Sequence, residues 1–273
     1  MSNRRKQQGF TLIELIIIIV LGGIVAVITS SILTQPINAY MDSSRRATLT
    51  ATADSALQRM QRDIRRALPN SIRISADGKT LELLHLVDGG RYRAQLASDA
   101  SGNILNFSIA DTNFDSLGPL QNFSNISLGS DRVVVYPLST IGANPYAGDN
   151  TSIISNSSSA NSIVFSAFQF PFSSPQQRFF IIDTPITYSC DTSASVTKNK
   201  VLIRYDGYAI QATQPLPPSS GNAIQANYIA DCTFSYNTGS SSRAGLVTLD
   251  LTLTDDTGES VRLLHQIHVD NQP

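Results

Sequence analysis

A charge-free apolar run near the N-terminus constrains this chain more than any other feature. No charged residue occurs from Leu15 to Leu33. As an α-helix, this run would extend about 28 Å, which is close to the hydrocarbon thickness of a bilayer. Arg4, Arg5 and Lys6 precede it, and such basic flanks stay on the cytoplasmic side. The sequence therefore predicts one membrane-spanning helix, with everything after about residue 34 outside the cytoplasm.

Glu14 is an acidic residue at the start of this otherwise apolar segment. Charges inside membrane segments are costly and tend to mark function. A plain membrane anchor gives Glu14 no role. An ordinary secretory signal, with "AVITSS" as a loose cleavage site, is a second alternative, although its apolar core is usually only about 7–15 residues long. Under that alternative the chain is a secreted protein, for example an enzyme, that is cleaved well after residue 20.

The stretch "GFTLIELIIIIV", residues 9–20, resembles the class III signal of type IV pilins and type II secretion pseudopilins. In that family a membrane aspartyl peptidase cuts after the glycine and N-methylates the new terminal phenylalanine. The resemblance implies a cleaved leader, residues 1–9, with the cut between Gly9 and Phe10. It also implies that Glu14 is an assembly contact, which attracts the terminal amine of a neighbouring subunit. Pairing with a carboxylate offsets much of the cost of burying that amine.

Residues 10–36 are interpreted as the transmembrane and assembly helix. Gly22 and Gly23 each cost about 1 kcal/mol relative to alanine inside a helix. Pro36 removes a backbone donor, and we expect it to kink the helix or to end its membrane part. By resemblance to pilins, this is a weak segment that stretches or melts on packing. The alternative is that these residues are tolerated irregularities of a membrane helix.

Residues 37–68 are predicted to form an amphipathic helix. Apolar residues recur there at three- and four-residue steps and make one stripe, namely Leu49, Ala53, Leu57, Met60, Ile64 and Leu68. Pro69 disfavours helix at the residue before it. Arg59, Arg62, Asp63 and Arg66 fall largely off the stripe. They favour a solvated face over a site for lipid headgroups or an acidic neighbouring subunit.

Residues 69–273 show a period-two pattern and are predicted to form a β-rich head. The expected strands lie in "SIRIS", "TLELLHLV", "RYRAQL", "NILNFSI", "DRVVVYPL", "NSIVFSAFQF", "RFFIIDTPITYSC", "KVLIRYDGYAI", "YIADCTFSY", "LVTLDLTL" and "VRLLHQIHV". The last two strands should form a hairpin around Asp256-Thr257-Gly258, and residues 152–162 and 213–222 should be surface loops. The predicted fold is therefore α+β and pilin-like, with a mostly antiparallel sheet packed on the second half of the helix.

Cys190 and Cys232 are the two cysteines of the chain. Two free buried thiols would be expected in a cytosolic protein. Because the N-terminal signal places the head outside the cytoplasm, we predict a Cys190–Cys232 disulfide. The chain-entropy model gives such a loop closure a stabilisation of about 4 kcal/mol.

Composition and motifs argue against several other functions. A formal net charge of -1 offers no basic surplus for a nucleic-acid partner. His265 and His268 should point to opposite faces of a strand, so these two and His85 are interpreted as structural or surface residues, and no metal site is predicted. Asp111, Asn113 and Asp115 alternate like the opening of a calcium loop, but Ser116 and Asn122 stand at the wrong positions of the EF-hand pattern. No catalytic or dinucleotide motif appears, so we predict no enzyme and no cofactor.

Two longer stretches narrow the family resemblance. "ALQRMQRDIRRALPNSIRI", residues 56–74, resembles the helix end of W-type minor pilins and J-type pseudopilins. "FFIIDTPITYSCDTSASVTKNKVLIRYDGYAI" and the ending from residue 232 are similar to minor pilins of the mannose-sensitive haemagglutinin (MSHA) type IV pilus. Residues 97–175 resemble no family.

This resemblance implies a non-catalytic minor pilin that primes or caps a type IV pilus. Its partners would be the prepilin peptidase, other minor and major pilins, the inner-membrane assembly platform with its ATPase, and the lipid bilayer. It would sit in the inner membrane with a periplasmic head, and later at the pilus tip. A J-type pseudopilin of a type II secretion system is an alternative. A tip adhesin that binds carbohydrate through its Ser- and Asn-rich loops is another.

Overall fold

The computed structural model describes residues 9–238 and 244–269 of the chain. Contacts divide the chain into two compact units, Met1–Thr48 and Leu49–Pro273. Arg4, Arg5 and Lys6, the predicted cytoplasmic flank, lie outside the described residues, as does the predicted leader up to residue 8.

One long helix precedes a succession of strands. The helix α1 is Leu12–Arg65, and the strands are β1 Arg73–Ile74, β2 Thr80–Arg91, β3 Asp111–Asp115, β4 Arg132–Val135, β5 Thr151–Ile153, β6 Ser162–Phe168, β7 Arg178–Asp191, β8 Val201–Tyr205, β9 Asn222–Asn227, β10 Ile229–Asn237, β11 Gly245–Thr254 and β12 Ser260–Val269. Short 3₁₀ turns cover Phe123–Asn125 and Thr197–Asn199. The predicted α+β class is confirmed.

Every paired strand is antiparallel to its neighbour, as predicted. The largest sheet runs in the order β1-β2-β7-β4-β5, and β8 and β9 continue from the second half of β7. A second sheet has the order β10-β11-β12, and β3 pairs with β6. Pro185 lies inside β7 next to a register shift opposite Leu84, which is where a strand tolerates the missing donor.

The C-terminal hairpin forms where the sequence predicted it. Thr254 pairs with Ser260 across the connection. Gly258 has a φ of 90°, a backbone conformation that glycine adopts without the steric cost of a side chain. The turn sequence therefore sets the register of ten consecutive pairs between β11 and β12.

The second half of α1 packs on the sheets through the predicted stripe. Leu49, Ala53, Leu57, Met60 and Ile64 are at most 4% exposed and form one core with side chains of β2, β7, β10, β11 and β12. The burial follows the 3.6-residue period of the helix, so only one face of this half is apolar. The prediction of a stripe facing the sheet is confirmed.

The helix ends at Arg65, three residues before the predicted end at residue 68. The Leu68 amide donates to the Leu84 carbonyl at 2.8 Å, and the Leu86 amide donates to the Arg66 carbonyl at 2.9 Å. Residues 66–68 therefore pair with β2 instead of adding another helical turn. The sequence could not show that β2 offers free backbone groups at this point.

The middle of the head departs most from the predicted strands. Neither "RYRAQL" nor "NILNFSI" forms a strand after Arg91. The Asn103 and Asn106 amides instead bond the carboxylates of Asp115 and Asp111, each at 2.8 Å. Three strands were missed, namely β3, β5 and β9. All three are short, and their residues lack the alternation of apolar and polar side chains by which strands were recognised.

An aromatic core holds this middle region together. Tyr92, Phe114, Phe165, Phe170 and Phe179 are all at most 3% exposed. The rings of Phe114 and Phe179 stand edge to face with centroids 5.0 Å apart, a favoured aromatic geometry. This core is separate from the one beneath α1.

Candidate functional site

The first residues of the described chain form a capped helix start. Gly9, Phe10 and Thr11 are not helical, and α1 begins at Leu12. The Glu14 amide donates to the Thr11 hydroxyl oxygen at 3.4 Å, and the Leu15 amide donates to the Thr11 carbonyl at 3.2 Å. Thr11 therefore occupies the N-cap, which satisfies donors that a helix start leaves unbonded.

Glu14 lies in the first helical turn, three residues after its cap. A Thr-x-x-Glu spacing is that of a capping box, and a carboxylate near a helix N-terminus is favoured by the helix dipole. This local role was not predicted from the sequence. The position of Glu14 therefore suits the start of its own helix, while its role as an assembly contact stays a prediction.

The predicted peptidase site is accessible. Phe10 is 76% exposed, and Gly9 is exposed and non-helical. A peptidase needs a reachable segment, and residues 9–11 are exposed and non-helical. The cleavage and methylation at Gly9 and Phe10 stay predictions.

The first half of α1 presents apolar side chains on every side. The large apolar residues described between Leu12 and Ile32 are 47–76% exposed. Within the described residues, α1 is the one helix long and apolar enough to cross a membrane. A continuous exposed apolar surface of this kind marks a membrane or a protein partner.

Gly22, Gly23 and Pro36 all lie inside α1, which continues through them. A Cβ atom built on Gly22 or Gly23 would meet no atom within 4 Å. Packing within the chain therefore does not require glycine at either position.

Asp63 anchors the second half of α1 to the large sheet, a role that its place among exposed arginines did not reveal. Its Oδ2 accepts hydrogen bonds from the Tyr188 hydroxyl and from Nε of Arg204, both at 2.8 Å. Burial raises the pKa of Tyr188, and the Asp63 carboxylate adds to that shift. The prediction of a solvated face is wrong for Asp63. Arg59 and Arg62 are exposed, as is Arg66.

The disulfide between Cys190 and Cys232 is present, as predicted. Cys190 belongs to β7 and Cys232 to β10, so the bond joins the largest sheet to the three-stranded sheet. Lys79 reinforces the junction, since its Nζ donates to the Cys232 carbonyl and pairs with Asp231. This places the disulfide in a structural role.

Besides Asp63, a second carboxylate with partners inside the head is Glu82, which lies between β2 and the segment after β8. Glu82 is fully buried, and it accepts hydrogen bonds from Nε of Arg73 at 2.8 Å and from the Tyr208 hydroxyl at 3.0 Å. Burial raises the pKa of Glu82, while Arg73 opposes that shift. Arg73 also lies 3.7 Å from the ring centroid of Tyr146. Each charged group has partners inside the head, which is typical of a structural network.

The other candidate residues do not assemble into a reactive site. His265 and His268 lie on opposite faces of β12, as predicted. His85 Nδ1 lies 3.0 Å from the carboxylate of Asp183. Among the described residues, no three His, Cys, Asp or Glu side chains are grouped to hold a metal.

The residues considered for calcium lie in β3 rather than in an open loop. Asp111 and Asp115 there accept backbone hydrogen bonds, as described above.

The Ser-rich stretch of residues 152–162 mostly bonds its own backbone. The Ser158 hydroxyl donates to the Val164 carbonyl at 2.9 Å and accepts from the Val164 amide at 2.9 Å. The Ser155 amide donates to the same carbonyl at 2.7 Å. These groups shape the connection between β5 and β6, and carbohydrate binding by this stretch stays a prediction.

Comparison with known proteins adds one match. A family model, the prokaryotic N-terminal methylation motif, matches residues 4–30. No curated protein and no solved structure matches the chain. The matched motif is the class III prepilin signal, and it supports the type IV pilin-like family. The signal implies processing by a prepilin peptidase and assembly with other pilins, and with the apolar helix it fits anchoring in the inner membrane.

Proposed function

We propose that this chain is a non-catalytic minor pilin of a type IV pilus, of the MSHA type and in the place of its O component. The observation that carries the proposal is the methylation motif at residues 4–30, which includes the start of a helix whose apolar side chains are exposed. The similarity of the strand β7 region and of the C-terminal hairpin to MSHA minor pilins supports the finer assignment. The large β-rich unit supports a tip position, because a bulky head would crowd subunits stacked above it.

Assembly follows from removing the leader. Cleavage after Gly9 creates a new terminal ammonium on Phe10, next to the capped helix start. Stacking apolar helices takes that ammonium out of water, at a cost that an opposite charge largely offsets. Glu14 of an adjacent helix supplies the charge and sets the axial register, while Arg4, Arg5 and Lys6 stay with the leader. No cofactor enters this process.

Mass spectrometry of the mature N-terminus tests the proposal. Chain isolated from wild-type cells should begin at a methylated Phe10, and chain from cells without the prepilin peptidase should begin at Met1. A wild-type chain that still carries Met1, or that begins beyond Leu33, would contradict the proposal.

Deletion of the gene distinguishes a role in a pilus from a role in a secretion system. A minor pilin predicts lost or reduced piliation with secretion intact, whereas a J-type pseudopilin predicts the reverse. Counting this chain against the major subunit in purified pili tests the tip position, since a tip subunit should be rare.

A further inference from the structure

The strand β12 has one open edge. It pairs with β11 over ten consecutive residues without a register shift, and it is the last strand of the three-stranded sheet. Among the described residues, no backbone hydrogen bond joins β12 to any element other than β11. An open edge of this length is a template for pairing with another chain.

One hydrogen bond shows which residues face that edge. The Thr254 amide donates to the Tyr228 carbonyl at 2.9 Å, on the β10 side of β11. The backbone N–H and C=O of Thr254 therefore point away from its partner Ser260, which makes theirs a non-hydrogen-bonded backbone pair of the antiparallel ladder, although their hydroxyls bond each other at 3.0 Å. By alternation, the even-numbered residues of β12 direct both N–H and C=O to the open edge, namely Ser260, Arg262, Leu264, Gln266 and His268.

The edge has few of the features that usually prevent such pairing. Residues 260–269 contain no proline, lysine or glycine, and the strand carries no bulge. Its one arginine, Arg262, is paired with Asp250 of the neighbouring strand β11. Leu264 is 58% exposed. Natural edge strands are commonly protected by charges, prolines or bulges. A regular edge whose one arginine is already paired within its own sheet therefore favours a partner.

Two clefts extend this edge into a groove, which we call the edge groove. One cleft of about 430 Å³ lies between His265 and the polar residues of α1 from Asp54 to Arg65. The other, of about 550 Å³, lies at the C-terminal end of β12 and is lined by Arg65, His268, Phe180 and other residues. Both clefts belong to the unit Leu49–Pro273.

The edge groove is basic. Arg62 and Arg65 line it, and within the described residues neither forms an ion pair. Asp54 is the acid that lines the first cleft, and its carboxylate accepts a hydrogen bond from Gln58 at 2.7 Å. A second copy of the chain would bring two such basic grooves together, which like-charge repulsion opposes. An acidic partner is complementary.

We infer that β12 accepts an extended acidic strand from a neighbouring subunit, by backbone pairing at the open edge. The partner's acidic side chains face Arg62 and Arg65 across the edge groove. Backbone hydrogen bonds hold the strand, and the side chains on its inner face select it. The identification of the partner as a filament subunit rests on the proposed function.

Binding of defined peptides to the full chain in detergent micelles tests the inference. The probe is a fluorescein-labelled peptide of ten residues, the length of β12, that alternates valine with glutamate. The control peptide alternates valine with lysine. The glutamate peptide should bind, and the lysine peptide should bind at least about tenfold more weakly, as measured by fluorescence anisotropy.

Two pairs of variants separate backbone pairing from charge. Leu264→Pro removes an edge donor without breaking the β11 ladder, and it should weaken binding about tenfold, while Leu264→Thr should leave binding within about twofold. Arg65→Glu should also weaken binding about tenfold, while Arg59→Glu, an exposed position outside both clefts, should not. Retention of the disulfide and of the thermal transition checks that each variant folds.

Equal binding of both peptides, absence of binding, or an unchanged affinity in both Leu264→Pro and Arg65→Glu would overturn the inference.

A photo-crosslinker in place of Gln266 extends the test to cells, with Thr248 on the central strand as control position. Crosslinks at 266 but not 248, to another pilin and lost in Leu264→Pro, support the inference, whereas crosslinks to a second copy overturn it. A methylated Phe10 with failed peptide binding refutes the inference alone, and the reverse result refutes the proposed function alone.

Discussion

The two halves of α1 are continuous in sequence but differ in what surrounds them. From Leu12 to Ile32 the large apolar side chains described are about half exposed or more, whereas Leu49, Leu57 and Met60 are at most 4% exposed. The first half is apolar on every side, as in a segment whose surroundings are lipid or other helices. The second half has one apolar stripe against a sheet of its own chain. The same helix thus leaves its apolar side chains exposed in one half and packs them into the core of the head in the other.

Glu14→Val should have the largest effect, and it acts on the first half alone. We expect incorporation into filaments to fall at least about tenfold, because the ammonium of Phe10 would lose its counter-charge. Immunoblotting of sheared pili and of membranes measures incorporation and membrane insertion separately.

Thr11→Ala is the matched control for that substitution. It removes the cap that Glu14 shares but keeps the carboxylate, so it should lower incorporation far less. Equal losses in both variants would reduce Glu14 to a capping residue, and normal piliation with Glu14→Val would remove its role in assembly.

Loss of the disulfide should have the largest effect on the second region. Closing a loop between positions 42 residues apart contributes about 4 kcal/mol in the chain-entropy model. Cys190→Ser with Cys232→Ser should therefore lower the midpoint of head unfolding by about 8–16 °C. Circular dichroism of the full chain in detergent measures the midpoint, and membrane insertion should be unchanged. A shift of a degree or two would mean that the buried network at the junction suffices without the bond.

Leu57→Ala compares the two halves of α1 directly. It removes a buried side chain from the core under the head and should lower the free energy of head unfolding by about 3 kcal/mol. Leu21→Ala, at an exposed apolar position, should change it by less than about 0.5 kcal/mol. The comparison fails if the two variants unfold at the same temperature.

Asp63→Ala should have a smaller effect, of about 2 kcal/mol, because Tyr188 and Arg204 lose an acceptor in a half-buried site. Asp54→Ala is its control. Among the described residues the exposed Asp54 carboxylate is bonded by Gln58 alone, one turn away, so the substitution should cost less than about 0.5 kcal/mol. Denaturant unfolding of the full chain measures both. An equal cost for the two substitutions would show that Asp63 lies on a merely solvated face.

The sequence was enough to predict those parts of the protein in which apolar residues recur with a single period. The apolar stripe from Leu49 to Ile64, the last hairpin and the long strands β7 and β11 all follow from repeats of 3.6 or two residues. The disulfide followed from compartment chemistry. The two strands predicted within residues 92–110 do not form. Apolar and polar side chains alternate there, but the backbone of this segment bonds the carboxylates of Asp111 and Asp115 instead of a neighbouring strand.

The candidate sites likewise fall into those that depend on neighbouring residues and those that depend on distant ones. Gly9, Phe10 and Glu14 were predicted from a contiguous motif, which can be recognised in the sequence without the fold, and their roles stay predictions. Asp63 could not be identified, since its partners Tyr188 and Arg204 lie more than a hundred positions away. The open edge of β12 is likewise a property of sheet order, which no local pattern records.

From its amino acids alone, the chain can be assigned an apolar helix behind a prepilin signal, an amphipathic continuation and a β-rich remainder, because each depends on neighbours a few residues apart. Only the folded molecule showed that α1 ends at Arg65 and that residues 66–68 pair with β2. It also showed that Asp63 is bonded to the sheet and that, among the described residues, β12 pairs on one side only. Those features depend on contacts between distant segments. Such contacts form when buried backbone and charged groups must find partners, and which partners are available is decided by the packing of the whole head.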